Sequence, residues 1–184
     1  MNSCYWKTDK IRLRAIEPAD AELFFRWNQD SERARNINFL PAPSSLEAVK
    51  SWTQEMSKKG GDRSPHHLII ENSDNIAVGG IATLKCDEVN GTFSIGFDIS
   101  SDHRRKGYAE EAVNLVLRYY FNELRFQKVT SHIYEFNEGS IKLHEKLGFK
   151  KEGQLRRMVY QNGEYHDKLI FGLTREEFTV RRKH

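Results

Sequence analysis

Short stretches of alternating apolar and polar residues mark the first half of the chain, a pattern typical of half-buried β-strands. Ile11 to Ile16, for example, alternates apolar residues with arginines. Such runs predict strands over 11–16, 67–71, 76–85 and 92–100, the last two joined through the hairpin turn Asn90-Gly91. Two helices are predicted between the first two strands, one from Glu17 through Trp27 and one from Ser44 or Ser45 to 59–61.

The second half of the chain begins with a long amphipathic helix, predicted over 108–124 from apolar residues at three- and four-residue steps. A strand is predicted over 128–136, and a short helix over 138–147 follows it. Asn137 is expected to cap this short helix, and Gly148 to end it. A final hairpin joins 154–160 to 168–173. This order predicts an α/β fold with a mixed sheet and no linker.

The composition fits one globular domain. With 184 residues, 38% of them hydrophobic and 30% charged, the chain is long enough to bury a sizeable core. We expect a single domain over residues 1–184, with a core at about 11–178 and a short basic tail. The 29 basic and 26 acidic side chains give a net charge of +3 and are mixed along the chain. This mixing argues against a nucleic-acid partner, because nucleic-acid-binding proteins usually segregate their basic residues.

The sequence also indicates a cytoplasmic protein. No apolar run approaches the roughly 20 residues that a membrane helix needs, and the first residues carry charges where a signal peptide needs an apolar stretch. Cys4 and Cys86 stand outside any metal-binding spacing, so we expect two free thiols in a reducing compartment. We therefore expect no membrane partner and no metal, and the sequence leaves a homodimer open.

One segment stands out, from Asp98 to Ala109, where a strand ends and a helix begins. It places three consecutive cations, Arg104-Arg105-Lys106, just before Gly107. A helix N-terminus offers backbone N–H groups and the positive end of the helix dipole, and glycine allows a close backbone approach to a ligand. The segment is therefore a candidate binding loop for a diphosphate or polyphosphate. The alternative is a solvated basic loop that only caps the helix.

Two blocks of the sequence resemble the GNAT superfamily of acyl-CoA N-acyltransferases. Arg104, Gly107 and Ala109 fit the pyrophosphate loop pattern R/Q-x-x-G-x-G/A of that family. The segment 137–149 resembles its pattern N-x-x-[SA]-x-x-L-Y-x-K-x-G-F. The opening, 11–27, looks like the ribosomal-protein N-terminal acetyltransferases, and the ending, 152–178, looks like spermidine and amino-sugar N-acetyltransferases.

The resemblance implies an enzyme that transfers the acetyl group of acetyl-CoA to a primary amine by direct attack, without a metal or a covalent intermediate. It implies the GNAT fold, a mixed, mostly antiparallel central sheet with flanking helices. The strands predicted at 92–100 and 128–136 would splay apart, and the pantetheine arm of coenzyme A would lie between them. The cofactor-binding residues that the resemblance implies are Phe97, Ile99, Arg104, Arg105, Lys106, Gly107, Tyr108, Ala109, Asn137, Ser140 and Lys146.

Direct transfer needs an acid for the departing thiolate and a base for the amine proton. His144 stands where many members of the family have the acidic tyrosine. It could replace that tyrosine, or the role could pass to Ser140 or to another tyrosine while His144 only packs. His132 lies where some members carry a carboxylate that activates the amine, and its alternative is a hydrogen-bonded histidine under the sheet.

The acceptor is expected to be a small amine, with polyamines and amino sugars ahead of antibiotics. By the resemblance, the first two helices and the last hairpin line its site, which brings in Trp27, Asp30, Glu32, Tyr134, Tyr165 and Asp167. Aromatic rings and carboxylates suit a cationic amine. Two alternatives stay open. The acceptor could be a protein N-terminus, as in the ribosomal type, or the chain could bind acyl-CoA without turnover.

Overall fold

The computed structural model describes residues 4–37, 40–59 and 66–181. Within these residues, seven strands form one sheet in the order β1-β2-β3-β4-β5-β7-β6, accompanied by six α-helices. The strands are β1 (Ile11–Ala15), β2 (His67–Asn72), β3 (Ala77–Asp87), β4 (Thr92–Ile99), β5 (Lys128–Tyr134), β6 (Lys150–Gln161) and β7 (Glu164–Thr174). The helices are α1 (Ala21–Trp27), α2 (Ser31–Ile37), α3 (Leu46–Ser57), α4 (Tyr108–Arg118), α5 (Glu138–Lys146) and α6 (Arg175–Arg181).

The sheet is mostly antiparallel, as predicted. The pairs β1–β2, β2–β3, β5–β7 and β6–β7 are antiparallel, whereas β4 and β5 run parallel. The described chain divides into two compact units, one from 1–82 with 97–115 and the other from 83–96 with 116–184. The expectation of a single domain over 1–184 stays a prediction. None of the described helices is long and apolar enough to cross a bilayer.

In the first unit, ion pairs bind β1 to β2 and to the 3-10 turn before α1. β1 pairs with β2 from Ile11 opposite Asn72 to Ala15 opposite Leu68. The carboxylate of Glu71 on β2 is buried and accepts hydrogen bonds from both Arg12 and Arg14. Arg14 also donates two hydrogen bonds of 2.8 Å to Asp20, in the 3-10 turn that leads into α1. Burial alone would raise the pKa of Asp20 and Glu71, but hydrogen bonds from Arg14 bring both below their usual values.

The helices of the first unit pack through aromatic rings. Phe24 on α1 meets Trp27 of the same helix edge-on at 5.4 Å between ring centroids, and it meets Trp52 on α3 at 4.9 Å. Ser45 caps α3 by accepting a hydrogen bond of 3.1 Å from the amide of Ala48. This cap confirms one of the two predicted starts of that helix. The helix ends at Ser57, and its expected glycine stop at 60–61 lies outside the described residues.

In the second unit, a short parallel ladder joins β4 to β5. It pairs 92–94 with 128–130, and the carbonyl oxygen of Gly91 accepts from the amides of Gln127 and Lys128 at 2.7 and 3.2 Å. On its other side β5 pairs with β7 along its full length, from Lys128 opposite Thr174 to Tyr134 opposite Lys168. β6 and β7 form the predicted hairpin, with left-handed residues at its turn, Asn162 and Gly163.

The core of the second unit is aromatic. Phe93 on β4 stacks on Tyr120 at 4.3 Å and meets Phe121 and Phe126 edge-on. Tyr120 and Phe121 follow α4 in a single π-helical turn, so that two consecutive residues are both buried. This turn shortens the predicted helix, which was expected to run to Leu124 but ends its α-helical part at Arg118.

Two helices were not predicted, although the sequence carries their caps. Asp30 accepts a hydrogen bond of 2.9 Å from the amide of Arg33 and so caps the start of α2. Thr174 and Glu177 form a reciprocal capping box at the start of α6, with backbone-to-side-chain bonds of 2.9 and 3.3 Å. Both caps fit known start patterns for helices. α2 and α6 are only seven residues long, which is too short for an apolar period to stand out in the sequence.

Candidate active site

The loop between β4 and α4 has the backbone of an anion-binding turn. After β4 ends at Ile99, a 3-10 turn over 101–103 leads into two left-handed residues, Arg105 with φ 63° and Gly107 with φ 83°. α4 begins at Tyr108, and the first backbone bond of its N-terminal turn runs from the amide of Glu111 to the carbonyl of Gly107 at 3.2 Å. The N-terminal turn of an α-helix presents backbone amides toward its N-terminal end. A turn of this kind suits an anion.

A fourth cation lies at this loop and comes from a distant part of the sequence. A Cβ atom placed on Gly107 would be 3.6 Å from the Nζ atom of Lys10, just before β1. Lys10 is exposed, like the loop cations Arg104, Arg105 and Lys106. Lys10 could not be predicted from the sequence, because nothing local marks it among the other exposed lysines. Only the position of β1 brings it to the loop.

Arg104 is the loop cation whose side chain is held in place. Its Nε atom donates a hydrogen bond of 3.2 Å to the carbonyl of Ile99, the last residue of β4. One terminal nitrogen pairs with Glu32 on α2 at 2.8 Å. Phe97 and Ile99, expected to present their backbone to pantetheine, are both half-buried residues of β4. Their role toward the cofactor stays a prediction.

A largely buried ion pair lies beside this strand end and was not predicted. Asp98 on β4 accepts a hydrogen bond of 2.5 Å from Arg33 on α2. The guanidinium of Arg33 also lies 4.8 Å from the ring centroid of Trp27, a cation–π distance. Burial raises the pKa of Asp98 above its usual value even though Arg33 opposes that shift. The pair ties α2 to β4.

On α5, the predicted cap is confirmed. The side-chain oxygen of Asn137 accepts a hydrogen bond of 3.1 Å from the amide of Ser140. Ser140 itself is half-buried in the first turn, and Lys146 is exposed in the last turn. The helix ends before Gly148, which adopts the left-handed φ of 80°. The three residues thus lie along one short helix, and their cofactor role stays a prediction.

His144 is buried, with 1% of its surface exposed. Its Nδ1 atom lies 2.8 Å from the carbonyl oxygen of Ser140, so it donates a hydrogen bond there. Its ring meets Phe149 edge-on at 4.9 Å and Phe171 at 5.9 Å. Burial lowers the pKa of His144 to about 4, against a smaller opposing effect of the bond to Ser140. The imidazole is therefore neutral near pH 7, which favours the packing alternative.

His132 differs from its predicted surroundings. It lies on β5 opposite Ile170 of β7, and its side chain is exposed instead of covered under the sheet. Partial burial lowers its pKa, and the positive charges of Lys85 and Lys168 add to that effect. A neutral imidazole in contact with solvent is able to accept a proton. His132 therefore stays a candidate base.

Two of the candidate acceptor residues lie in the first unit, and both have structural tasks there. Trp27 is buried in the aromatic cluster of α1 and is covered by Arg33. Asp30 caps α2 through one carboxylate oxygen. These contacts account for both side chains without a ligand. Their role at the acceptor stays a prediction.

The other two acceptor candidates lie in the second unit. Tyr134 on β5 is buried, burial raises its pKa, and the ammonium of Lys168 lies 5.6 Å from its ring centroid. Tyr165 is 56% exposed near the β6–β7 turn, where Arg157 lies 4.5 Å from its ring centroid and Tyr160 packs on it at 5.0 Å. The two tyrosines thus stack with cations of their own unit, as aromatic rings of a cation site do.

The order of the elements and the mixed, mostly antiparallel sheet are those of the GNAT class of acetyltransferases. The family model described as "Acetyltransferase (GNAT) domain" matches residues 10–150, about three quarters of the chain. The chain belongs to this family, and it is an acetyl-CoA-dependent N-acetyltransferase of the GNAT type. This confirms the predicted family, fold class and enzyme class.

Among individual relatives, the chain is 44% identical over 176 residues to the SPbeta prophage-derived uncharacterized N-acetyltransferase YokL of Bacillus subtilis strain 168, covering 96% of each chain. It is 24% identical over 158 residues to the spermidine N(1)-acetyltransferase of Vibrio cholerae, covering 86% of this chain and 89% of that one. It also superimposes with a TM-score of 0.82 on the crystal structure of the Vibrio cholerae spermidine N-acetyltransferase in complex with CoA and spermine. There the identity is 20%, over 94% of this chain and 99% of that one.

Proposed function

We propose that the protein acetylates a small primary amine, such as a polyamine or an amino sugar, by direct attack of the amine on acetyl-CoA. The observation that carries this proposal is the loop before α4, where two left-handed residues, Arg105 and Gly107, precede the first amides of the helix. The crystallised Vibrio cholerae spermidine enzyme, which binds CoA and spermine, supports the choice of a small amine. We place the reaction in the cytoplasm.

In this proposal, the pyrophosphate of the cofactor accepts hydrogen bonds from the backbone amides of 104–109. Cations of the same unit, Lys10 among them, balance its negative charge. The loop fits the group, because a turn with two left-handed residues at a helix N-terminus gathers amides around one anion. The thioester supplies the activated acetyl group. The backbone of Phe97 and Ile99 pairs with the pantetheine amides.

For the proton transfers, we assign the acid to Ser140 instead of His144. The neutral, buried imidazole of His144 donates a hydrogen bond of 2.8 Å to the carbonyl of Ser140. The hydroxyl of Ser140 is half-buried and lies 3.4 Å from the same ring nitrogen. In our proposal this hydroxyl donates a proton to the departing thiolate. His132, exposed and with a lowered pKa, is the proposed base.

Substitution of Ser140 by alanine is expected to lower kcat by about thirtyfold to hundredfold, because one positioned proton donor contributes roughly two orders of magnitude. Substitution of His144 by phenylalanine is expected to change kcat by less than about threefold, since a phenyl ring fits between Phe149 and Phe171. Steady-state kinetics at saturating acetyl-CoA measures both. If His144→Phe lowered kcat more than Ser140→Ala does, His144 and not Ser140 would be the acid.

The pH dependence of stability offers a separate check on His144. Its pKa is about 4 in the folded protein, below the 6.5 of a free histidine. The unfolded chain therefore binds this proton first, and the stability that it contributes is lost as the pH falls from about 6.5 toward 4. We expect the free energy of unfolding to drop by about 2 to 3 kcal/mol more in the wild type than in His144→Phe between pH 7 and pH 4.5. Urea denaturation at both pH values measures this free energy. An equal drop in the wild type and in His144→Phe would contradict the burial of a neutral imidazole.

The acceptor is identified by incubating the protein with acetyl-CoA and a panel of amines while free thiol is followed. The panel holds polyamines, amino sugars, aminoglycosides and peptides with free N-termini. Thiol release with a polyamine or an amino sugar supports the proposal. Release with peptides alone would favour the ribosomal type, to which the opening segment 11–27 is similar. Tight acetyl-CoA binding with no release on any amine would favour an acyl-CoA-binding module without turnover.

A further inference from the structure

Two consecutive residues of α2 hold the end of β4 and the loop that follows it. Arg33 binds the carboxylate of Asp98 at 2.5 Å, and Glu32 binds the guanidinium of Arg104 at 2.8 Å. The first pair is largely buried, with 10% and 18% of the two side chains exposed, whereas the second is open to solvent. Buried Arg33 thus fixes the helix turn from which Glu32 reaches the loop.

The side chain of Arg104 is folded back on its own strand. Its Nε atom donates a hydrogen bond of 3.2 Å to the carbonyl oxygen of Ile99. One of its terminal nitrogens donates to the carboxylate of Glu32. Two groups that the proposed function assigns to the cofactor, the Arg104 guanidinium and the Ile99 carbonyl, are therefore bound to each other. A guanidinium binds a carboxylate and a phosphate through the same planar N–H groups, so the two anions compete for it.

From this geometry we propose that Glu32 is a positioning residue that opposes cofactor binding by holding Arg104 away from the phosphates. The inference rests on the proposed function, since it needs the cofactor to bind at the loop. When coenzyme A binds, Arg104 leaves Glu32 for the pyrophosphate and releases the carbonyl of Ile99 to pantetheine. No bond other than hydrogen bonds and ion pairs changes in this step. Glu32 thereby lowers the affinity for both the substrate acetyl-CoA and the product CoA, which favours product release.

The test is calorimetric titration of coenzyme A into the wild type and into Glu32→Gln, Arg104→Gln and the double variant. Glutamine keeps the length of the side chain and removes the competing charge. We expect Glu32→Gln to lower the Kd for coenzyme A about three- to fivefold, since an exposed ion pair is worth no more than that. In the Arg104→Gln background, the same change should alter the Kd by less than twofold. In kinetics, Glu32→Gln should lower the KM for acetyl-CoA without raising kcat.

Glu22→Gln on α1 is the matched control, because it removes one exposed negative charge from a neighbouring helix without touching the loop pair. It should leave the Kd within twofold of the wild type. An unchanged or higher Kd in Glu32→Gln overturns the inference, as does an effect that persists without Arg104 or one that Glu22→Gln reproduces. These outcomes leave the proposed function standing if the wild type binds coenzyme A and acetylates an amine. A wild type that does not bind coenzyme A overturns both.

Discussion

Substitution of Gly107 by valine is expected to weaken the binding of coenzyme A at least thirtyfold. Gly107 has a φ of 83°, which β-branched residues avoid, so valine forces the turn before α4 into another shape. The amides that we propose for the pyrophosphate then lose the arrangement that this turn gives them. The new side chain also grows toward the Nζ atom of Lys10, 3.6 Å from the Cβ position. Calorimetry with coenzyme A measures the loss.

Gly163→Val is the matched control, since Gly163 has the same φ of 83° at the β6–β7 turn and nothing lies within 4 Å of its Cβ position. This variant should lose similar folding free energy, about 1 to 3 kcal/mol, and keep the affinity for coenzyme A within about threefold. If Gly107→Val bound coenzyme A as the wild type does, the loop would not hold the phosphates. The solvated-loop alternative would then be correct.

Substitution of Gly79 by alanine is expected to lower the free energy of unfolding by about 3 kcal/mol, at the upper end of the usual cost of overpacking. A Cβ atom at Gly79 on β3 would lie 2.1 Å from the carbonyl oxygen of Asp98 and 2.9 Å from the Cδ1 atom of Ile99. The first of these contacts is with backbone, which cannot rotate away. The residues displaced are those that end β4, so the affinity for coenzyme A should fall as well. Chemical denaturation and calorimetry measure the two effects.

The adjacent Gly80→Ala variant is the control for this prediction. Its Cβ position has only ordinary contacts, 3.6 Å to the carbonyl of Leu68 and 3.8 Å to a carboxylate oxygen of Asp98. We expect a change in the free energy of unfolding within about 1 kcal/mol. Equal stability of Gly79→Ala and Gly80→Ala would show that β3 does not approach β4 as closely as described.

Local pattern was enough to predict most of the fold. The strands and the amphipathic part of α4 follow from the spacing of apolar residues along the chain. The caps Ser45 and Asn137 follow from residue type. The left-handed turn at Gly107 was also foreseeable, because glycine before a helix and after three cations has few other uses. In each case the information lies within a few residues of the feature itself.

The features that sequence could not show depend on contacts between distant residues. Lys10 and Gly107 are 97 positions apart in number and meet only because β1 begins near the loop. The pairing of Arg33 with Asp98 depends on where α2 packs, and that helix was itself not predicted. For His144, the pattern allowed both catalysis and packing. Its exposure of 1% was decided by Phe149 and Phe171, which come from outside its helix.

The anchoring of β1 gives the loop an uneven response to ionic strength. The carboxylate of Glu71, shared by Arg12 and Arg14, is buried, so added electrolyte shields it little. Lys10, the residue before that strand, is exposed, so concentrated salt largely shields its attraction for an anion. Concentrated salt therefore leaves the position of β1 unchanged but weakens the attraction between Lys10 and an anion. The placement of the charge and the force that it exerts are in this way separable properties of one short segment.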